Sequence, residues 1–243
     1  MLLQKKICFK RINFFNLNYS EIKKKIKKGG LLVIPSGPGL STLDKDKKYH
    51  IALKNSDIAL FDSGYFCLLL IILKFINVKK FSGYKLLKNL FNDRSIKHYK
   101  FFLVDPSYKE SIKNKKYLTS IKIKNSHHYV APIYKKKNIY DSKLLSIINK
   151  KKPKFIMINL GGNVQEVLGY YLKKKLGFKP IIICSGAAIS YFTKQQAPIN
   201  DFLDAIYLGW LIRIVFSPKI FLLRYLRAFK LFLIVYNSTV IVK

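Results

Sequence analysis

Carboxylates are scarce in this sequence. Twelve Asp and Glu stand against 46 Lys and Arg in 243 residues, a formal net charge of +34. An imbalance of that size sets up a positive field that draws phosphates, nucleic acid or an anionic membrane leaflet, and it excludes a cationic partner. The lysines nevertheless fall in short scattered runs, Lys23 to Lys25, Lys113 to Lys116, Lys135 to Lys137 and Lys150 to Lys152. These punctuate turns and helix ends without forming one stripe and read mainly as solvated faces. Cysteine is equally sparse. Cys8, Cys67 and Cys184 are odd in number and far apart, which excludes a disulfide scaffold and the paired spacing of a zinc site and fits a reducing cytoplasm. No apolar run reaches the roughly 20 residues of a membrane-spanning helix; the longest, Tyr65 to Leu73 and the interrupted stretch Phe221 to Tyr236, fall short. The basic segment Met1 to Ile12 has no long apolar core and no small-residue cleavage site, so no secretory signal is expected and the protein is expected to stay inside the cell.

What is present is a chain that should fold. Half of its residues are apolar and 14% are aromatic, and the length suits one large domain, or one domain with an appendage. No internal repeat and no low-complexity linker interrupts it. Apolar runs of strand length alternate with longer amphipathic stretches, the pattern of βαβ units that builds a parallel sheet covered by helices. Leu31 to Ile34 reads as a buried strand stopped by the turn-rich Pro35-Ser36-Gly37-Pro38-Gly39, with a helix expected over Ser41 to Lys54. Asp57 to Phe61 reads as a strand followed by a buried helix over Tyr65 to Phe75, and Phe101 to Val104 as a third strand. A short strand is expected over Tyr129 to Pro132, and a helix over Ser142 to Lys151. Lys154 to Leu160 and Pro180 to Cys184 give the two clearest strands, each running into a glycine-bearing loop. From about Asp201 the character changes. Tyr207 to Tyr236 mixes Trp210 and many Leu, Ile and Phe with basic residues and reads as two helices broken at Ser217-Pro218. The expected organisation is an α/β core over residues 1–200, a Rossmann-like parallel sheet flanked by helices. A basic amphipathic helical, membrane-associating appendage follows over residues 201–243.

Ligands of open parallel sheets bind outside the carboxyl ends of the strands, so those loops are where chemistry is sought. Asp62 ends a strand among few acidic neighbours, a position from which a rigid scaffold can hold a general base; the alternative is that it caps the following helix. Gly161-Gly162-Asn163-Val164-Gln165-Glu166 joins a strand to a helix, so backbone can approach a ligand closely and a helix N-terminus can receive a phosphate. The same loop is also readable as an ordinary glycine turn, with Glu166 favouring the helix dipole. The rings of His127 and His128 would point to opposite sides of a strand, and no metal site is assigned. Ser36 and Ser185 lack a nucleophile elbow. The carboxy-terminal stretch is open to two readings, a helix pair on a membrane surface or helices packed on the sheet with a basic outer face.

Four segments, in order, carry a family resemblance. Ala52 to Asp62 resembles "ALNEADLVLPDG" without a gap, with Ser63 in place of the following glycine; Phe81-Ser82-Gly83 then resembles "V-x-G", although Tyr84-Lys85 replaces the acidic pair after it. Ile158 to Glu166 is similar to "VGLGxPKQE", keeping Gln165-Glu166. Gly186 to Tyr191, followed by Ala197-Pro198, is similar to "GGAFDF" and "RAP", with Ser190 for the Asp and Gln196 for the Arg. Leu208 to Arg213, Ser217-Pro218-Lys219 and Arg224-Tyr225 resemble "LEWLYRL", "EPRR" and "RRY", with Gly209 for the Glu. The chain thus resembles the WecG/TagA/CpsF glycosyltransferases from about residue 30 to 230, as a divergent branch. The "TANPE" loop is matched only loosely at Pro35 to Gly39, and Asp105-Pro106-Ser107 stands where a Gly-Gly turn is usual.

The resemblance implies an inverting transfer of an N-acetylmannosamine-type or related sugar from a UDP-sugar to a polyprenyl-diphosphate-linked acceptor, in cell-surface polysaccharide biosynthesis and without a cofactor. It places Asp62 as the base, with Arg213 and Arg224 as catalytic cations. Gly161, Gly162, Gln165, Glu166, Gly186, Ala187 and Ser190 would bind the donor. Ser36, Lys219 and Arg227 would meet the acceptor diphosphate or the membrane. The implied setting is cytoplasmic and peripheral, on an anionic membrane surface at the cytoplasmic face, with a homo-oligomer left open. Two rivals remain: a catalytically inactive scaffold of a polysaccharide-assembly complex, and a basic nucleic-acid-binding protein. The second rests on charge alone and lacks recognisable motifs, so no nucleic acid is expected.

Overall fold

Runs of branched and aromatic residues between turns rich in Gly, Pro and Lys form the strands, and amphipathic stretches between them form the helices. The computed structural model describes residues 5–135, 139–194, 215 and 218–242. The first half holds β1 (Lys6–Phe9), β2 (Ile12–Phe15), α1 (Tyr19–Ile26), β3 (Gly30–Val33), α2 (Gly37–Leu40), α3 (Lys47–Lys54), β4 (Ile58–Leu60), α4 (Gly64–Lys74) and α5 (Gly83–Asn92). The second half adds β5 (Phe101–Asp105), α6 (Tyr108–Ser120), β6 (Ser126–Val130), α7 (Ser142–Lys151), β7 (Phe155–Ile158), α8 (Val164–Lys175), β8 (Ile181–Cys184) and α9 (Ile189–Phe192). It closes with α10 (Pro218–Ala228), α11 (Lys230–Tyr236) and β9 (Val240–Val242).

Among the described residues the strands make one sheet in the order β6-β5-β7-β8-β3-β4-β2-β1-β9. All neighbours from β6 to β2 are parallel, while β1 runs antiparallel to β2 and β9. Central strands buried on both faces need not alternate apolar with polar, and β3, β5, β7 and β8 are correspondingly uniform. Alternate residues of β3, β4, β5, β7 and β8 feed two cores. Leu31 and Val33 join one with Tyr49, Phe66, Leu144, Leu168, Leu231 and Val235, from α3, α4, α7, α8 and α11. Leu32 and Ile34 join the other with Ile22, Leu87, Leu118 and Ile189, from α1, α5, α6 and α9. The fold is therefore α/β, a mostly parallel sheet between two helical layers.

Local chemistry moves several elements from their expected places. The helix expected over Ser41 to Lys54 starts only at Lys47, capped by Asp46. Before it, the hydroxyls of Ser41 and Thr42 bond back to the carbonyls of Pro38 and Gly39, the competition with helix that short hydroxyl side chains offer. The strand expected over Tyr129 to Pro132 starts three residues earlier and ends two earlier, as β6 at the sheet edge. The β1–β2 hairpin is an addition to the sequence reading. Its turn puts Lys10 and Arg11 at φ 50° and 63°, a left-handed pair usually supplied by Asn-Gly. Here α3 and its approach hold the turn: His50 Nε2 lies 2.7 Å from the Lys10 carbonyl, and Lys10 pairs with Asp44 at 3.0 Å.

At the carboxyl end, α10 begins at Pro218, a residue favoured in the first turn of a helix, and Phe229 separates it from α11. Leu231 and Val235 are fully buried, Phe229 packs edge-on against Tyr65 of α4 with ring centroids 5.6 Å apart, and β9 then pairs with β1. The helix expected before Ser217, with Trp210 and Arg213, lies outside the described residues, apart from the helical backbone at Val215, as do Gln196 and Ala197-Pro198.

Candidate active site

The carboxyl ends of β3, β4, β7 and β8 open into a cavity of about 330 Å³, rimmed by the loops that follow them and roofed on one side by α10. Asp62 lies there, two residues past β4. Its Oδ1 accepts the Gly83 N–H, at the start of α5, at 3.0 Å. Ser63, not Asp62, caps α4, its hydroxyl accepting the Phe66 N–H at 3.2 Å. The capping alternative for Asp62 is thus filled by its neighbour, and the carboxylate sits between the N-termini of two helices. The loop carrying Gly83 is tied down as well, by the Phe81 N–H donating to the Phe61 carbonyl at 2.8 Å. A Cβ on Gly83 would come 3.2 Å from that of Ala188, so this glycine lets the loop after β8 close on the one that holds Asp62.

The loops after β7 and β8 form the opposite wall. Gly161 and Gly162 line it, and a Cβ built on Gly161 would meet nothing within 4 Å; a glycine facing open space leaves the backbone accessible to a ligand. The turn is closed by Asn163 at φ 72°, whose amide donates to Thr42 Oγ1 at 2.9 Å and to Asp46 Oδ2 at 3.0 Å. Gln165 ties the two loops together: its Oε1 accepts the Gly186 N–H at 2.7 Å and its Nε2 donates to Glu166 Oε1 at 3.0 Å. Gly186 needs its left-handed φ of 56° to make that turn. Both Gln165 and Glu166 are buried, so their sequence signal marks the frame of the cavity as much as its surface.

Of the residues named from sequence, Ser36, Asp62, Gly161, Gly162, Gln165, Glu166, Gly186, Ala187 and Ser190 all line this one cavity. Arg227 is exposed on α10 and is not among the lining residues. Arg224 and Lys219 belong to α10, with side chains outside the described set, and Arg213 lies outside the described residues. Sequence reasoning missed Lys80, the one Lys or Arg among the described lining residues, together with Glu110 and Asn159, and it considered Ser185, which also lines the cavity, only as a nucleophile. It also missed an aromatic wall of Tyr65, Tyr84, Tyr191, Tyr225 and Phe229. The signal for Lys80 was its place directly before Phe81-Ser82-Gly83. Nearby, Cys67 is buried, and desolvation pushes its thiol up to about 12, against the pull of Lys80 and with the push of Asp62; it is an inert core residue. Among the described residues no group of three or more His, Cys, Asp or Glu is placed to hold a metal ion.

A fixed carboxylate, a nearby lysine and glycine-rich backbone at helix N-termini suit a substrate carrying both a hydroxyl to be deprotonated and a phosphate to be held. No curated protein matches the chain significantly. A family model described as glycosyl transferase WecG/TagA/CpsF matches residues 7–241, nearly the whole chain, and the protein belongs to this family of glycosyltransferases of cell-surface polysaccharide biosynthesis, which transfer a sugar from a donor to an acceptor.

Proposed function

We propose that this enzyme transfers N-acetylmannosamine or a related sugar from a UDP-sugar to an acceptor on polyprenyl diphosphate, with inversion at the anomeric carbon. The observation that carries the reading is Asp62, anchored by the Gly83 N–H at the rim of the cavity, across from the Gly161-Gly162 loop. Asp62 takes the acceptor hydroxyl proton as that oxygen attacks the anomeric carbon, and the nucleoside diphosphate leaves from the opposite face with the bonding pair. A positioned base contributes about 10²–10⁴-fold to such a step. The charge growing on the leaving diphosphate is met by Lys80 and by backbone N–H groups at the start of α8. Arg213 and Arg224 are proposed as further cations, and Ser36, Lys219 and Arg227 as contacts for the acceptor diphosphate or lipid phosphate.

The lipid acceptor fits the outer surface near the cavity. Among the described residues no helix is long and apolar enough to cross a membrane. Yet Leu222, Leu223, Leu226, Phe229, Leu233 and Tyr236 of the α10–α11 segment are exposed, beside Arg227 and Lys230. An apolar surface studded with cations suits the interface of an anionic leaflet, here the cytoplasmic face of the membrane. The same segment supplies Tyr225, Ala228 and Phe229 to the cavity wall, so docking and completion of the site would coincide.

The test is UDP release from a panel of UDP-sugars, with and without a polyprenyl-diphosphate-linked acceptor. Acceptor-dependent release is expected from the wild-type chain, and a loss of at least 10²-fold from Asp62→Asn with its fold intact. Near-wild-type turnover by the variant would remove Asp62 from the mechanism. A folded wild-type chain that releases UDP from no donor would favour the scaffold reading.

A further inference from the structure

Beneath the cavity floor lies a chain of side-chain hydrogen bonds that the transfer mechanism does not use. Asp105, at the end of β5, is completely buried. Its Oδ1 accepts from Asn114 Nδ2 at 2.7 Å and from Asn159 Nδ2 at 2.8 Å, and its Oδ2 lies 3.0 Å from His128 Nδ1. Asn159 Oδ1 in turn accepts from the Ser185 hydroxyl at 3.0 Å. Asn159 and Ser185 are themselves buried side chains, 5% and 7% exposed, and both line the cavity.

The direction of this chain follows from the chemistry of its members. A carboxylate offers only lone pairs, so both amides must turn their nitrogens toward Asp105. Asn159 must then point its oxygen the other way, where Ser185 is the donor. A hydroxyl has one proton and two lone pairs; with the proton committed to Asn159, Ser185 has only lone pairs left for a partner in the cavity it lines. A buried carboxylate two links away thereby fixes the polarity of a group on the cavity wall. The wall there accepts, so the ligand must donate, which selects a hydroxyl or amide N–H and rejects phosphate oxygens. The place is also defined. A Cβ on Gly83 would approach the Ser185 carbonyl to 3.7 Å, and the Gly83 N–H holds Asp62, so Ser185 borders the loop beside the base, which in the proposed transfer faces the sugar.

We propose that Asp105 is a positioning residue and Ser185 a sugar-specificity residue, reading a hydroxyl or acetamido N–H of the transferred sugar through the Asp105–Asn159–Ser185 chain. The proposal rests on the UDP-sugar reading above.

The experiment is calorimetric titration of the full chain with UDP-N-acetylmannosamine and, separately, with UDP. Ser185→Ala and Asp105→Leu, which removes the acceptor altogether, are each expected to weaken the UDP-sugar about tenfold, the size of one hydrogen bond, with UDP affinity unchanged within about twofold. Because both changes break one chain, the double variant should also lose about tenfold and not about a hundredfold. Unchanged UDP-sugar affinity, equal losses for UDP and UDP-sugar, or additive losses in the double variant would each overturn the proposal. Should Asp105→Leu fail to fold, Ser185→Ala decides alone, by whether its loss is confined to the UDP-sugar. A wild-type chain that does not bind UDP would overturn the donor reading itself, and this inference with it.

Discussion

Ser63 stands where the motif that Ala52 to Asp62 resembles has a glycine, and its hydroxyl accepts from the Phe66 N–H, closing the first turn of α4 beside Asp62. The same hydroxyl constrains the facing loop: a Cβ added to Gly37 would lie 2.7 Å from Ser63 Oγ. A helix cap of this kind is worth about 1 kcal/mol, and glycine at the cap recovers most of it because it leaves the N–H groups open to water. Ser63→Ala is therefore expected to lower unfolding stability by about 1 kcal/mol and Ser63→Gly by only a few tenths. Urea unfolding would show this as a shifted midpoint at constant slope. A larger loss for glycine than for alanine would contradict the capping role. The departure at Ser190 acts differently. It is buried on the cavity wall at the position where the resembled motif has an aspartate, so this chain offers a neutral group at that point.

At the scale of elements, α11 carries two opposed faces. Leu231 and Val235 are fully buried in the core shared with α4, whereas Leu233 is 60% exposed. The two leucines, two residues apart, should thus report on different things. Leu231→Ala is expected to cost about 2–5 kcal/mol of stability through the cavity it leaves. Leu233→Ala should stay within about 0.5 kcal/mol and instead weaken sedimentation with anionic vesicles. Equal stability losses, or vesicle binding insensitive to Leu233, would refute the division. Sequence periodicity could not make this distinction, because apolar residues crowd nearly every side of the segment; only the contacts of α4 and the pairing of β9 with β1 tell the faces apart. By the same logic β3, β4, β5, β7 and β8 were legible, being short uniform apolar runs bounded by turn residues. The β1–β2 hairpin was not, since its left-handed Lys10-Arg11 turn is held by α3 and its approach and not by a local signal. The site divided similarly: loops at strand ends, with Asp62 and Gly161-Gly162, were readable. Lys80, Asn159 and Ser185 depend on which loops fold together.

For the whole molecule, several of the scarce carboxylates tie separate elements together. Asp57 pairs with Lys173 at 2.7 Å and accepts the Leu31 N–H, joining α8 to the start of β3. Asp141 caps α7 and accepts from Tyr129 and Tyr134. Asp93 binds the end of α5 to α1, pairing with Lys23 at 2.6 Å and accepting from Tyr19 and from the N–H and hydroxyl of Ser95. Burial alone would raise the Asp93 carboxyl, but those donors together hold it well below the usual carboxylate range. A group whose pKa is lower folded than unfolded contributes stability that is complete above the unfolded value, near 4, and is lost as pH falls from there toward the folded value. Acid also strips the few negative charges that offset 46 basic residues, so self-repulsion adds to the loss. Stability should therefore fall steeply below about pH 4, less steeply in high salt, after a smaller decline below about pH 6.5, because burial and the neighbouring Lys151 and Lys100 lower the pKa of His127 in the folded chain. Asp93→Asn should be about 1–3 kcal/mol less stable than wild type at pH 7, the scale of hydrogen bonds to a charged group. Its deficit should shrink as pH drops below 4, since the wild-type chain then loses the charge that the variant never had. Denaturant unfolding at pH 7, 5 and 3 would check this, and a deficit of the same size at all three would show that Asp93 acts through shape and not through its charge.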